Sequence, residues 1–139
     1  MVRPTFKHLS ETERIVAEEF LKRVIVGGKV EFDVPLKVPT RIPKLPKYEA
    51  WIKMWEYLTA KKIDMVIETE DAIHIIEIKE KLSASAVGQL KLYKMLYEEQ
   101  YKPRKPIVLW HIAVWPDESV IRLLEKENIK WWCLYASTY

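Results

Sequence analysis

The chain has 139 residues, 49% hydrophobic and 31% charged, the balance of a folded rather than a disordered protein, and it is long enough to bury a real core as one domain over residues 1–139. A formal net charge of only +3 says little about partners. The single cysteine, Cys133, excludes an intrachain disulfide, a structural zinc site built on cysteines and a four-cysteine iron–sulfur cluster.

The amino-terminal MVRPTFKHLSETER lacks the apolar run of a signal peptide. The longest nearly unbroken apolar stretch, IVLWHIAVW, falls far short of the ~20 residues a bilayer span needs. An intracellular, cytoplasmic protein without membrane association is expected. Scarce asparagine and glutamine beside abundant lysine, glutamate and isoleucine point toward a thermophilic source.

In chain order, Ser10 followed by Glu13 is a capping-box pattern ahead of the stripe Ile15, Val16, Phe20, Leu21 and Val24, which predicts a helix from Glu11 to Val24. Gly27-Gly28 breaks the chain. Strict alternation of Val30, Phe32, Val34, Leu36 and Val38 predicts a half-buried strand, with Pro35 marking an edge position or a bulge. Pro39 to Pro46 is a stiff connector. Helical spacing returns from Lys47 to Ala60 through Tyr48, Trp51, Ile52, Trp55 and Leu58. A hairpin spans Lys62 to Lys81, and a helix capped by Ser83 runs to about Gln100, with Gly88 letting it approach the sheet. PIVLWHIAVW reads as a buried strand, Asp117 to Glu127 as a short helix capped by Asp117, and KWWCLYA as a last strand. The order is that of a mixed α/β domain.

The hairpin carries the chemistry. With Glu70-Asp71 as a two-residue turn, Glu68 faces Ile73, Met65 faces Ile76 and Asp64 faces Glu77. Cross-strand partners share a face, and Lys79, two residues on, joins them. Opposed carboxylates repel, so a purely structural hairpin avoids them. A hard divalent cation reverses that sign, because Mg²⁺ takes one or two carboxylates plus waters and phosphate oxygens. A neighbouring ammonium can then stabilise developing charge on a phosphoryl group. A salt-bridged rim on an exposed face is the plainer reading, but Val66, Ile73 and Ile75 lie on the same face as the charges.

Asp64, a gap across a turn, then Glu77-Ile78-Lys79 resembles the D…(D/E)-x-K motif of the PD-(D/E)XK nuclease superfamily. The element order resembles that superfamily's restriction-endonuclease-like core of helix, three strands, helix and strand around a mixed central sheet. Gln89-Leu90-Lys91-Leu92-Tyr93 matches the Q-x-x-x-Y element of its RecB-like branch, where the glutamine sits near the active site. The first helix, with Glu13-Arg14, resembles the opening helix of archaeal Holliday-junction resolvases, whose glutamate can assist the metal site. Ile63 stands where the motif's name has proline, and a helix with Trp51 and Trp55 is inserted between the first strand and Asp64.

The resemblance implies a nuclease dependent on Mg²⁺ (or Mn²⁺) and acting on DNA. Asp64 and Glu77 would bind the metal, with the Ile78 carbonyl as a further ligand and Glu13 as metal support. Lys79 would stabilise the nucleophile or the transition state, Gln89 would position water or phosphate, and Tyr93 would support the site. Lys44, Lys47, Lys53, Lys61, Lys62 and Lys91, with Lys94, are candidates for holding the nucleic-acid backbone. They belong mostly to a stretch from Lys37 to Lys62 in which basic residues outnumber Glu49 and Glu56. A homodimer would suit double-strand or junction cleavage. A nuclease fold without turnover, serving as a nucleic-acid-binding or assembly module, is the alternative from another class, and an RNase is a third. Endonuclease and exonuclease action are both left open.

Other residues read as structural. His8, His74 and His111 lack metal-ligand spacing, and parity points His74 away from Asp64. Ser83 and Ser85 have no base nearby in sequence, which argues against a serine hydrolase. Trp51 and Trp55 could stack on bases, pack in the core or form a dimer contact.

Overall fold

The computed structural model describes residues 9–38 and 49–135. Helix α1 (Glu11–Arg23) precedes strand β1 (Lys29–Leu36), helix α2 (Glu49–Thr59) and the strands β2 (Lys61–Glu68) and β3 (Ile73–Lys81). Helix α3 (Ser85–Tyr101), strand β4 (Ile107–Trp115), helix α4 (Glu118–Lys126) and strand β5 (Lys130–Cys133) complete the order. The strands form one sheet in the order β1-β2-β3-β4-β5. The first two pairings are antiparallel and the last two parallel, with α3 and α4 as the crossovers. Among the described residues no helix is long and apolar enough to cross a membrane.

The capping box starts α1 as expected. Ser10 Oγ accepts from the Glu13 N–H at 3.1 Å, and Glu13 Oε1 accepts from the Ser10 N–H at 3.0 Å, which satisfies two donors that a helix start leaves open. Val16, Ala17 and Phe20 are buried against Met65, Ile67, Ile76, Ile78 and Ile112 on one face of the sheet. Trp110 and Trp132 meet the Phe20 ring edge-on, with centroids at 5.1 and 5.7 Å. On the other face Val87, Leu90, Tyr93 and Leu96 of α3, with Val120 and Leu124 of α4, pack against Val66, Ile73, Ile75 and Leu109. The sheet is therefore filled on both sides, as parallel crossovers require.

Three expectations are corrected. The alternation in β1 does not keep to one face: Val30 and Phe32 pack on the α1 side, whereas Val34, Leu36 and Val38 pack on the α3 side. Asp33, whose φ of 51° lies in the left-handed region, stands at the change of face, and β2 changes face beside it, with Met65 on the α1 side and Ile63 on the α3 side in an unbroken register. Ser83 is not the cap of α3. The cap position is Ala84, without a side-chain bond; Ser83, one residue earlier, accepts through Oγ from the Ser85 N–H at 3.3 Å and bonds the Ser85 hydroxyl at 2.8 Å. Gly88 is exposed with open space around the position of a Cβ, so it brings no helix closer to the sheet. Pro35 does sit on an edge strand.

Candidate active site

The hairpin register is the expected one from Glu68↔Ile73 to Met65↔Ile76. There the β2–β3 ladder ends, while β2 continues to pair with β1 as far as Lys61↔Leu36. The two strands thus part just where Asp64 would face Glu77. The gap is bridged by a side chain: the Ile78 N–H donates to Asp64 Oδ2 at 2.8 Å. In an extended strand a residue's N–H and C=O face the same neighbour, so the Ile78 carbonyl also faces the opening.

Glu77 follows the parity of Ile73 and Ile75 and points to the α3 side, whereas the Ile78 side chain packs on the α1 side. Glu77 is only 4% exposed. Its Oε1 lies 3.5 Å from Lys79 Nζ, and its Oε2 is buried with no hydrogen-bond partner among the described residues. Burial, and then the charge of Asp64, push the Glu77 pKa up to about 8. Burial also raises that of Asp64, against the pull of the Ile78 N–H, and the Glu13 carboxylate adds to the rise. Burial holds both carboxyls toward the neutral form; in Glu77 the charge of Asp64 adds to it, while a hydrogen bond from the Glu77 carboxyl favours the ionised Asp64. Such a pair is short of positive charge.

From α3, burial and then the fields of Glu77 and Asp64 push the Tyr93 hydroxyl up to about 12, so the charge of the acids reaches that side chain. Gln89 lies one turn earlier on the same helix face, and its Oε1 is buried without a partner among the described residues. Glu13, from the opposite layer, is near enough to act on Asp64, although one of its oxygens serves the capping box. The structure therefore brings Asp64, Glu77 and Lys79 together, with Tyr93 and Glu13 within reach of their fields and Gln89 one turn from Tyr93.

Of the basic candidates, Lys44 and Lys47 lie outside the described residues. Lys53 and Lys62 are exposed and Lys61 is half-buried. Lys91 is ion-paired with Glu127, which balances its charge from α4. Trp51 and Trp55 are 60% and 39% exposed, so neither belongs to the core. His74 is structural as expected: its Nδ1 accepts from Trp110 Nε1 at 3.0 Å, on the face away from the acids.

His111, read from sequence only as lacking metal-ligand spacing, is a structural residue that ties two parts of the site's backbone. It is fully buried beside Glu77 in the β3–β4 register. The Ser83 N–H donates to its Nε2 at 2.9 Å, and its Nδ1 lies 3.1 Å from the Glu77 carbonyl oxygen. With Nε2 accepting, the proton sits on Nδ1 and donates to Glu77. Burial pulls the His111 pKa down to about 4, so the ring is neutral and this tautomer is fixed. One imidazole thus ties the strand of Glu77 to the segment that leads into α3. The available signal was a lone polar residue in the middle of IVLWHIAVW.

No protein-family model matches the chain, and no curated protein matches it. Solved structures do. A repair endonuclease from Pyrococcus abyssi matches at a TM-score of 0.52 and 20% identity, over 90% of this chain and 47% of that one. The chain has a restriction-endonuclease-like fold. A complex of EndoMS with double-stranded DNA matches at a TM-score of 0.49 and 20% identity, over 93% of this chain and 47% of that one. The chain spans about half the length of these two structures. In the restriction-endonuclease-like core, the parted ends of β2 and β3 carry the acids and α3 covers them.

Among the described residues no group of three or more His, Cys, Asp and Glu side chains forms a ready-made metal cage. The donor set is a smaller one: two carboxylates, one with an orphaned buried oxygen, and a main-chain carbonyl facing the same opening. All are hard oxygen donors, and Mg²⁺ commonly uses only one or two carboxylates and completes its shell with waters and phosphate oxygens. The residues fit such an ion.

Proposed function

We propose that this chain is a divalent-cation-dependent nuclease that hydrolyses phosphodiester bonds in DNA. The observation that carries the reading is the Glu77 carboxyl, which is buried, repelled by the charge of Asp64 and has one oxygen with no partner among the described residues. A fold shared with a repair endonuclease is consistent with it.

In this proposal Asp64, Glu77 and the Ile78 carbonyl hold Mg²⁺ or Mn²⁺, with Glu13 in support. When bound, the ion supplies Lewis-acid polarisation of the phosphate and positive charge for the transition state. Lys79, 37% exposed at its side chain and held by Glu77, directs its ammonium at the charge that develops on the phosphoryl oxygens. Gln89 orients water or phosphate through its amide, and Tyr93 keeps a neutral hydroxyl against the acids. Lys53, Lys61 and Lys62 hold the backbone without regard to sequence, so binding weakens steeply with salt. Cutting both strands of a duplex calls for two copies, and a homodimer belongs to the proposal.

Incubation with labelled linear, circular and branched DNA, in Mg²⁺ or in EDTA, tests it. Products that need the metal and vanish in Lys79→Ala are expected. Binding without products would overturn the enzyme in favour of a binding module, and cleavage confined to parallel RNA substrates would make it an RNase. Circular against linear substrates separates endonuclease from exonuclease action.

A further inference from the structure

Trp115 ends β4, and Tyr135 lies two residues beyond β5. Their rings stack on each other at 4.9 Å with 27° between planes, yet they remain 55% and 60% exposed. Both are tied to the sheet through the main chain. The Trp115 carbonyl accepts from the Leu82 N–H at 3.0 Å, and the Tyr135 N–H donates to the Val114 carbonyl at 3.1 Å. They form an anchored platform of two flat rings that adds little to the core.

The platform's place in the sheet relates it to the acids. Glu77 pairs with His111, Lys79 with Ala113 and Lys81 with Trp115, and side-by-side partners share a face. Glu77, Lys79 and Lys81 therefore run in line toward Trp115 on the side of the sheet that carries the acids. At ~3.3 Å per residue along a strand and ~4.8 Å between strands, the Lys79 and Trp115 backbones are about 8 Å apart, within one nucleotide's reach. Between acids and rings stand two cationic side chains, Lys79 and Lys81, 37% and 63% exposed, the latter paired with Asp117 at 3.3 Å.

We propose that Trp115 and Tyr135 form a stacking subsite for one unpaired nucleobase of the substrate strand, adjoining the phosphate at Asp64, Glu77 and Lys79. The proposal rests on the nuclease reading above. A π-face beside cations matches a nucleotide's own pairing of flat base and anionic phosphate, and base–aromatic stacking tolerates any base. A base inside a duplex has both faces covered by its neighbours, so only an end, a flap or an unpaired nucleotide can stack here. The substrate class is thereby narrowed to DNA with a single-stranded or unpaired element at the cleavage point.

Binding of labelled single strands and covalently closed circular duplexes, which have no ends, measured in EDTA so that nothing is cut, tests this. The comparison is between wild type, a Trp115→Ala/Tyr135→Ala variant and a Trp115→Phe/Tyr135→Phe variant. The alanine variant is expected to bind single strands roughly tenfold or more weakly, the scale of one base–aromatic stack, with duplex binding unchanged and the phenylalanine variant restored. An abasic residue scanned along the strand should weaken wild type at one position and leave the alanine variant indifferent. Equal binding by wild type and the alanine variant, or equal losses on both DNA forms, would overturn the subsite. A changed sedimentation coefficient in the alanine variant would reassign the rings to self-association. If wild type cuts DNA and the alanine variant matches it on every substrate, only the subsite falls. If wild type neither binds nor cuts nucleic acid, the nuclease reading falls and takes the subsite with it.

Discussion

The two ends of the β2–β3 hairpin make opposite uses of the same pairing. Next to the turn the backbone does the bonding, from Glu68↔Ile73 to Met65↔Ile76, and Met65, Ile67, Ile75 and Ile76 are fully buried. At the far end the ladder stops, and Asp64 supplies through its carboxylate the bond that Ile78 would otherwise lack. Glu77 is left with a buried oxygen that has no partner among the described residues. A sequence selected for stability alone would not leave an acid in that state. Stability is concentrated at one end, and two carboxyls that burial pushes toward the neutral form sit at the other, a division that fits the proposed site.

The widest gap between the two ends should appear on substitution at the open one. Asp64→Asn or Lys79→Ala is expected to slow DNA cleavage in Mg²⁺ by about 10²–10³-fold, while a urea midpoint measured on the same protein barely moves. Ile76→Ala, at the closed end, should do the reverse. It should cost about 2–5 kcal/mol in urea unfolding and leave Mn²⁺ affinity of the folded protein intact.

His111 links the two ends and should show both effects in milder form. His111→Ala orphans the Glu77 carbonyl and the Ser83 N–H, an expected loss of about 1–3 kcal/mol, and calorimetry should also find weaker metal binding. The smallest effect has the opposite sign. Glu77→Gln should abolish metal uptake yet stabilise the metal-free protein by about 1 kcal/mol, read as a higher melting temperature in EDTA. A drop in that temperature would mean that Glu77 is a stabilising residue and that the contrast is misdrawn.

Local periodicity made the helices, the chain order of the strands and the hairpin register legible, since an apolar stripe at helical or strand spacing reports its own partner face. Asp64, Glu77 and Lys79 were legible for the same reason: two short strands and a tight turn fix which side chains meet. What depended on distant pairing was not. The parallel β3–β4 register that seats His111 beside Glu77 spans a whole crossover helix, and no local pattern encodes it. The ion pair of Lys91 with Glu127 joins two helices on one face and is equally invisible. Asp33 hid differently. The alternation across β1 looks unbroken in sequence, yet its two halves go to opposite layers at the left-handed Asp33, where β2 also changes face between Met65 and Ile63.

Titration of Mg²⁺ or Mn²⁺ into wild type and Asp64→Asn, followed by calorimetry with a short DNA present, tests the central claim most directly. Saturable uptake by wild type that is lost in Asp64→Asn, with both proteins equally folded by circular dichroism, is the expected result. No uptake by wild type, or equal uptake by the two proteins, would contradict a dication held between the parted strands.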